Sequence, residues 1–201
     1  MGDYEVTEAE DVPRGSTIVI QLREDCAEFA DPEHVRSVIK KYSNFVNFPI
    51  LVNGDRVNTI QAVWAMSKSD VSEDMYTEFY RYIANAFDEP RSVMHFSADA
   101  PISLQALFFV GQTHMEKYGM GRMDPNHSLY SRKVLIEGKS KNVLPDFLRF
   151  VHGVVDSEDL PLNISREGMQ DSALLRKISN VITKRLLKHF ADVRSYARFV
   201  C

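Results

Sequence analysis

Strand and helix patterns of apolar residues alternate in the first quarter of the chain. Thr17 to Leu22 is a run of β-branched and apolar residues that predicts a strand. Asp31 followed by Pro32 is a typical N-cap and first-turn pair, so a helix is expected to begin there. Phe48 to Val52 predicts a second strand, closed by the turn signal Asn53-Gly54. The helix between the strands presents an apolar face made of Val35, Val38, Ile39, Tyr42 and Val46.

One helix and three strands continue this alternation through the middle of the chain. Ser72 is placed to cap the helix. Strands are predicted at Ser92 to Ser97, Leu104 to Val110 and Leu129 to Glu137, and the aperiodic segment from Val110 to Ser128 predicts a surface loop. The whole pattern indicates an α/β (α+β) fold in which a mixed sheet is layered with helices. The inward positions expected on the helix are Met75, Phe79, Tyr82, Ile83 and Ala86.

The last quarter of the chain combines a polar turn with a long amphipathic helix. Val154 and Val155 end an apolar run, and the polar residues from Asp156 to Asp159 indicate that the chain comes to the surface there. Pro161 stiffens the segment that follows. From Asp171 onward apolar residues recur at helical spacing, while basic residues occupy mostly the other face. The apolar positions are Leu174, Leu175, Ile178, Val181, Ile182 and Leu186.

Arg166 precedes this helix, at a place where a positive charge gains nothing from the helix dipole. One interpretation is an ion pair with Glu158, Asp159 or Glu167, a common surface arrangement worth about 0 to 1 kcal/mol. The other interpretation is bidentate capture of a phosphate, for which the guanidinium geometry is suited. Spacing alone favours the ion pair.

Composition narrows the classes of protein that fit the chain. It has 201 residues, 44% of them hydrophobic and 26% charged, which is enough for a core in one domain or one and a half. The net charge is -4, and the cations are interspersed with acids, so a nucleic-acid-binding surface is not expected. No metal-ligand spacing is found among the six histidines and the two cysteines, Cys26 and Cys201, so no metal site is predicted. With only two cysteines far apart in the sequence, no disulfide is predicted either, and a reducing compartment is expected. Without a long apolar run or a basic leader, neither membrane insertion nor secretion is expected.

The segment VVDSEDLPLNISREGMQ, Val154 to Gln170, resembles the middle-domain catalytic loop of the heat-shock protein 90 family of ATP-dependent chaperones. The resemblance extends over essentially the whole chain, and the wording YSNFVNFP is most similar to the mitochondrial paralogue, the tumour necrosis factor receptor-associated protein type. The other matching motifs are RGSTIVIQLRED (Arg14 to Asp25), KKYSNFVNFPILVNG (Lys40 to Gly54), the region around Trp64, EFYRYIAN (Glu78 to Asn85), LYSRKVLI (Leu129 to Ile136) and LPDFLRFVHGVVDSEDLP (Leu144 to Pro161).

The resemblance implies a division into three regions. Residues 1–54 correspond to the C-terminal strand-helix-strand part of the N-terminal ATP-binding domain. Residues 55–170 correspond to the large α/β part of the middle domain with its catalytic loop, and residues 171–201 to the start of a helical connector. Most of the pocket for ATP and Mg²⁺ would then lie upstream of Met1, so the chain alone is expected to lack ATPase activity.

The resemblance also implies roles for particular side chains. Arg166 would reach the γ-phosphate of ATP, Gln170 would help to position water or the phosphate, and Ser16 would join the water network around adenine. From the residues alone, the favoured interpretation of Ser16 is a hydroxyl bonded to local backbone. For Gln170, a solvated helix residue fits the sequence as well as the functional role does. Gly168 departs from the family, which has a large aliphatic residue there, and glycine costs about 1 kcal/mol relative to alanine within a helix.

Two apolar positions have both a functional and a structural interpretation. Trp64 corresponds to a family position that contacts client proteins, and the alternative is a tryptophan that packs in the core or between domains. Leu135 corresponds to an apolar position that faces the nucleotide domain, and the alternative is ordinary burial on an alternating strand.

The implied function is ATP-dependent protein folding and unfolded-protein binding, with client proteins, possible cochaperones and the missing ATPase domain as partners. The expected compartment is the mitochondrial matrix, or otherwise the cytoplasm. The family forms homodimers through a C-terminal domain that this chain lacks, so the chain alone is expected to be a monomer. The alternative function is a stand-alone module that binds a client or a cochaperone without catalysis, and ATP turnover by the isolated chain distinguishes the two.

Overall fold

A computed structural model describes residues 7, 14–100, 102–119, 121–160 and 173–199. The strands are β1 (Leu51–Val52), β2 (Asp55–Arg56), β3 (Pro90–Ala98), β4 (Leu104–Gly111), β5 (Asn126–Ser131), β6 (Val134–Glu137) and β7 (Val151–Asp156). The helices are α1 (Pro32–Tyr42), α2 (Glu73–Ala84) and α3 (Ala173–Phe199), and short 3-10 helices lie at Glu24–Ala30, Val63–Ala65, Lys68–Asp70, Met115–Tyr118 and Asp146–Leu148.

Five of these strands form one mixed sheet in the order β3-β4-β7-β5-β6. Neighbouring strands are antiparallel except for β5 and β7, which run parallel and end together, with Tyr130 opposite Asp156. The strands β1 and β2 form a separate hairpin. The predicted α/β class with a mixed sheet and helices is therefore confirmed.

Both faces of the sheet are covered, and β4 is accordingly apolar at nearly every position. Successive side chains of a strand point to opposite faces, and Phe108 accordingly packs in one core while Leu107 and Phe109 pack in the other. The first core lies against α3, and the second lies against α2 and the segment around Trp64. The residues that α3 contributes are Leu175, Ile178, Ile182 and Leu186, as its helical spacing predicts.

The predicted helix starts and one turn are confirmed. The Asp31 side chain accepts a hydrogen bond of 3.2 Å from the Glu33 amide, with Pro32 in the first turn of α1. The Ser72 hydroxyl accepts one of 3.2 Å from the Met75 amide at the start of α2. Asn53 and Gly54 have φ angles of 54° and 92° and connect β1 to β2.

The prediction of a strand at Thr17 to Leu22 is wrong for this structure. These residues have no regular secondary structure, and Ile18, Val19 and Ile20 are 82%, 90% and 73% exposed. A strand needs a neighbour that satisfies its backbone N–H and C=O groups. None of the described strands pairs with this segment.

The second predicted strand, Phe48 to Val52, is reduced to its last two residues. Asn58 is the cause, since its amide satisfies the backbone groups that a neighbouring strand would otherwise bind. Its Nδ2 donates to the carbonyl oxygens of Val46 and Phe48 at 2.8 Å each, and its Oδ1 accepts from the Ile50 amide at 2.8 Å.

The single strand predicted from Leu129 to Glu137 is a hairpin of β5 and β6. Arg132 and Lys133 form its turn with positive φ angles of 48° and 67°. Such a turn usually carries glycine, asparagine or aspartate, so the sequence contains no signal for it. The loop predicted from Val110 to Ser128 is correspondingly shorter, because β5 begins at Asn126.

Some inward positions of the helices also differ from the prediction. α1 ends at Tyr42, before Val46, and none of its residues is fully buried. On α2, Tyr80 is buried with Phe79, whereas Tyr82 is 50% exposed. None of the described helices is both long and apolar enough to cross a membrane.

Candidate functional site

Some of the residues with predicted functional roles lie among the described residues, and others do not. Arg166, Gln170 and Gly168 lie outside the described residues, so their predicted roles stay predictions. Ser16 is exposed and lies in the irregular segment before the first short helix. Leu135 lies half-buried on β6 beside the second core, in keeping with its structural interpretation.

The arginine loop is the segment from Ser157 to Gln170, which follows β7 in the sequence and contains Arg166. Its base, Ser157 to Leu160, is described and is anchored to the end of β5 and to Ser103, directly before β4. Its first and last residues are buried, at 1% and 2% exposure. The Ser157 amide donates to the Tyr130 carbonyl at 3.2 Å, and its hydroxyl donates to the Ser103 carbonyl at 2.7 Å. The loop base therefore leaves the sheet between the end of β5 and the start of β4.

Two further hydrogen bonds fix the far end of the loop base. The Ser131 hydroxyl donates to the Leu160 carbonyl at 2.6 Å, and the Asp159 carboxylate accepts from the Ser103 amide at 2.9 Å. Leu160 also packs in the same core as Leu175 of α3. Position 160, six residues before Arg166, is thus held by both hydrogen bonding and packing.

Asp156 precedes the loop base and is buried, contrary to the prediction that the chain surfaces at this residue. Only 5% of it is exposed. Its Oδ2 accepts hydrogen bonds from Trp64 Nε1 at 2.9 Å and from the Lys133 amide at 3.0 Å. These donors allow β7 to continue with an acidic residue, because buried polar groups require partners. The chain surfaces at Glu158 and Asp159, two residues later than predicted.

The pKa of Asp156 reflects two opposing influences. Burial raises the pKa above its ordinary value, because it disfavours the charged carboxylate. The hydrogen bond from Trp64, the amides of Lys133 and Arg132 and the Lys133 charge act in the opposite direction. Oδ1 has no hydrogen-bond partner within the described part of the chain.

Trp64 lies in the second core, with 1% of its surface exposed. Its ring is 4.7 Å from that of Phe45, 5.7 Å from that of Phe79 and 5.1 Å from that of Tyr130, measured between centroids. This environment supports the core-packing interpretation of Trp64. A client protein cannot reach the ring unless the ring leaves this packing.

A cleft of about 320 Å³ lies beside the loop base. Asp156 and Glu158 line it on the side of the loop base, and Arg132 and Lys133 line it from the β5–β6 turn. The Lys133 ammonium donates to the Asn47 side chain at 2.6 Å, across the cleft from the sheet. Residues of both charge signs therefore line the cleft where the arginine loop begins, together with the apolar side chains of Val46, Phe48 and Ala65.

In the described ranges, no group of three or more histidine, cysteine, aspartate or glutamate residues is arranged to hold a metal ion. At the other end of the sheet, Arg149 donates to the two carboxylate oxygens of Glu116 through Nε and Nη2, at 2.7 and 2.6 Å, and its Nη1 contacts Asp146. The hydrogen bonds from Arg149 hold the pKa of Glu116 at about 2. This cluster cross-links the segments before β5 and β7.

Comparison with known proteins places the chain in a family. Residues 51–200 match the family described as Hsp90 protein. The chain belongs to the Hsp90 family. It is 53% identical over 191 residues to the chaperone protein HtpG of Desulfitobacterium hafniense (strain Y51), which covers 95% of this chain and 31% of that protein.

Mitochondrial Hsp90 proteins are similar to the chain at comparable identity. The TNF receptor-associated protein 1 homolog of Dictyostelium discoideum is 50% identical over 191 residues, covering 95% of the chain and 27% of that protein. The mitochondrial heat shock protein 75 kDa of Rattus norvegicus is 47% identical over 204 residues, covering 98% of the chain and 29% of that protein. The chain thus spans less than a third of the length of these Hsp90 relatives. The resemblance found in the sequence is confirmed.

Sequence motifs alone miss the residues that anchor the arginine loop in this Hsp90-family chain. They predict Asp156 at the surface and the Arg132-Lys133 turn inside a strand. Ser103 and Ser131 are ordinary hydroxyl residues by their sequence alone. The sequence does contain one indication that Asp156 is buried. It directly follows the apolar run Val154-Val155, so the chain has no intervening residues in which to leave the strand and reach the surface.

Proposed function

We propose that the chain is the part of an ATP-dependent chaperone that supplies Arg166 to the γ-phosphate of ATP. Two observations support the proposal. The chain belongs to the Hsp90 family, with chaperones among its similar relatives. The loop base from Ser157 to Leu160 is anchored by hydrogen bonds to Tyr130, Ser103 and Ser131. Rigid anchoring of the loop base would help to place the Arg166 guanidinium accurately at the phosphate. Accurate placement matters because a misplacement of about 1 Å can cost about 100-fold in rate.

The chemical contribution of Arg166 is charge stabilisation. Phosphoryl transfer spreads negative charge over the γ-phosphate oxygens, and an arginine inserted there is worth on the order of 10³ to 10⁵ in rate in other nucleotide hydrolases. A guanidinium holds its charge at every physiological pH and binds phosphate in a bidentate manner. Gln170 is proposed to orient the attacking water or the phosphate.

Most of the site for ATP and Mg²⁺ is proposed to lie in a separate ATP-binding domain, toward which Ser16 contributes a hydroxyl. Two observations support this part of the proposal. Ser16 is exposed, and the chain spans less than a third of the length of its Hsp90 relatives.

The proposed partners are client proteins and cochaperones, together with the ATP-binding domain. Homodimerisation of the complete chaperone also belongs to the proposal. Similar relatives include mitochondrial and bacterial proteins, which supports the mitochondrial matrix as the compartment, with the cytoplasm as the alternative.

A chimera tests the proposed role of Arg166. The chain replaces the aligned 191 residues of the Desulfitobacterium HtpG protein, and ATP turnover is measured in a coupled assay. Arg166→Ala is expected to lower kcat at least about tenfold, because the γ-phosphate loses its cation. Arg176→Ala, at an exposed position of α3, is the matched control and is expected to leave kcat within about twofold. Equal turnover of both variants and the unmodified chimera would overturn the proposal.

A further inference from the structure

A chain of hydrogen bonds runs through the second core from α2 to the loop base. The Tyr76 hydroxyl donates to His95 Nδ1 at 2.8 Å, and His95 Nε2 donates to the Trp64 carbonyl at 3.0 Å. Trp64 Nε1 in turn donates to Asp156 Oδ2 at 2.9 Å. These donor roles require a neutral His95, and burial lowers its pKa accordingly. Trp64 is therefore held at its carbonyl and at its ring nitrogen.

Asp156 is the junction of this chain with the β5–β6 turn. The same Oδ2 that accepts from Trp64 accepts the Lys133 amide at 3.0 Å. Arg132 and Lys133 both occupy the left-handed region, a conformation that costs on the order of 1 to 3 kcal/mol for a residue other than glycine. The carboxylate thus stabilises a strained turn, and the next residue in the chain, Ser157, begins the loop base.

The carboxylate at position 156 is the acceptor for two donors that its removal would leave unsatisfied. An apolar residue of similar size would leave Trp64 Nε1 and the Lys133 amide without a partner, whereas the carboxylate fixes one particular arrangement of these donors. Here the donors come from two elements that are far apart in sequence, the Trp64 segment and the β5–β6 turn. The arrangement that Asp156 fixes is the one from which the arginine loop departs.

We propose that Asp156 is a positioning residue for the loop base, Ser157 to Leu160, which it fixes through the Trp64 ring nitrogen and the Lys133 amide. Its consequence for ATP hydrolysis rests on the function proposed for Arg166. Asp156 contacts no substrate in this role. It acts by holding the start of the loop against β5 and β4.

The structural half of the proposal is tested in the 201-residue chain by hydrogen exchange. Asp156→Asn keeps the size and one acceptor oxygen but loses the charge that strengthens both hydrogen bonds. The amides of Ser157 and Lys133 are expected to exchange at least about tenfold faster than in the unmodified chain, while those of β3 and β4 stay within about twofold. Asp70→Asn, at an exposed site, is the matched control. Unchanged exchange at Ser157 and Lys133 would overturn the proposal.

A second variant keeps the test decisive if Asp156→Asn does not fold. Trp64→Phe removes the Nε1 donor and retains an aromatic ring in the core. It is expected to increase exchange at Ser157 in the same way, and normal protection there would count against the proposal.

The catalytic half is tested in the chimera by a double-mutant cycle. Asp156→Asn is expected to lower kcat about 10- to 100-fold with KM for ATP within about twofold, because the loop is misplaced while nucleotide binding resides elsewhere. In the Arg166→Ala background the same substitution is expected to change kcat less than about twofold, since there is no arginine left to position.

The outcomes separate this proposal from the proposed function. An equal loss of kcat with and without Arg166 would mean that Asp156 acts by general destabilisation and would refute the positioning role. If Arg166→Ala has no effect on turnover, the proposed function fails, and the exchange rates at Ser157 and Lys133 then decide the positioning role by themselves.

Discussion

His127 gives the chain a built-in sensitivity to acid. It lies on β5 with 1% of its surface exposed, and neither ring nitrogen has a hydrogen-bond partner within the described residues. Burial lowers its pKa from 6.5 to about 4, and the charge of His152 acts in the same direction. The backbone carbonyl groups of Val151 and Ser140 act in the opposite direction and raise the pKa of His127. Neither of them forms a hydrogen bond of normal geometry with the ring.

The sign of the effect follows from proton linkage. The folded state holds the lower pKa, so between pH 6.5 and 4 the unfolded state binds more protons and acid favours unfolding. The stabilisation is fully present above about pH 6.5 and is lost as the pH falls toward 4. The difference of about 2.5 pH units, at about 1.4 kcal/mol each, corresponds to a total of about 3.5 kcal/mol. About 2 kcal/mol of this is lost between pH 7.5 and pH 5.

Urea unfolding of the chain at pH 7.5 and pH 5 measures this loss. His127→Val, which places a β-branched apolar residue on the strand, is expected to lose about 2 kcal/mol less than the unmodified chain between the two pH values. Apart from His152, whose charge acts on His127, the other buried histidines contribute equally to both proteins and cancel in the difference. Leu129→Val on the same strand is the control and is expected to lower stability equally at both pH values. The reasoning is refuted if His127→Val and the unmodified chain lose the same free energy on acidification.

Three further predictions concern the core and the arginine loop. Gly153→Ala is expected to destabilise the chain by about 1 to 3 kcal/mol in urea unfolding, because the new Cβ would lie 2.5 Å from the Leu107 carbonyl oxygen. Gly138→Ala is the control and should cost far less, since its Cβ would have no heavy atom within 4 Å. The isolated chain is expected to show no ATPase above background, and turnover abolished by Arg166→Ala would contradict the separate nucleotide domain. Gly168→Leu in the chimera is expected to raise turnover by stiffening the loop, and unchanged or lower turnover would exclude this role.

Features that depend on neighbouring residues could be predicted well from the sequence. The caps at Asp31 and Ser72, the Asn53-Gly54 turn and the apolar stripe of α3 depend on interactions within a few residues, and all are confirmed. The motif around Arg166 is long enough to identify the family from its residues alone.

Features that depend on distant partners could not be predicted. Thr17 to Leu22 has the composition of a strand, but pairing requires a neighbour that its own sequence does not encode. Asn58 replaces a strand partner for Val46 to Ile50, and the sequence does not reveal which backbone groups its amide binds. Asp156 has the sequence context of a surface residue, yet the ring nitrogen of Trp64, 92 positions away, satisfies it in the core.

The sequence by itself determined the family of this protein, its mixed class, the starts of α1 and α2 and the buried face of α3. The class and the helix features follow from the spacing of residues along the chain. The family follows from the motif Val154 to Gln170, which is long enough to be recognised from the sequence alone. The tertiary structure alone decided that the arginine loop starts from a buried carboxylate held by Trp64 and a strained turn. Burial and hydrogen bonding between distant segments exist only after the chain has folded, because the same aspartate in an open chain would be hydrated by water.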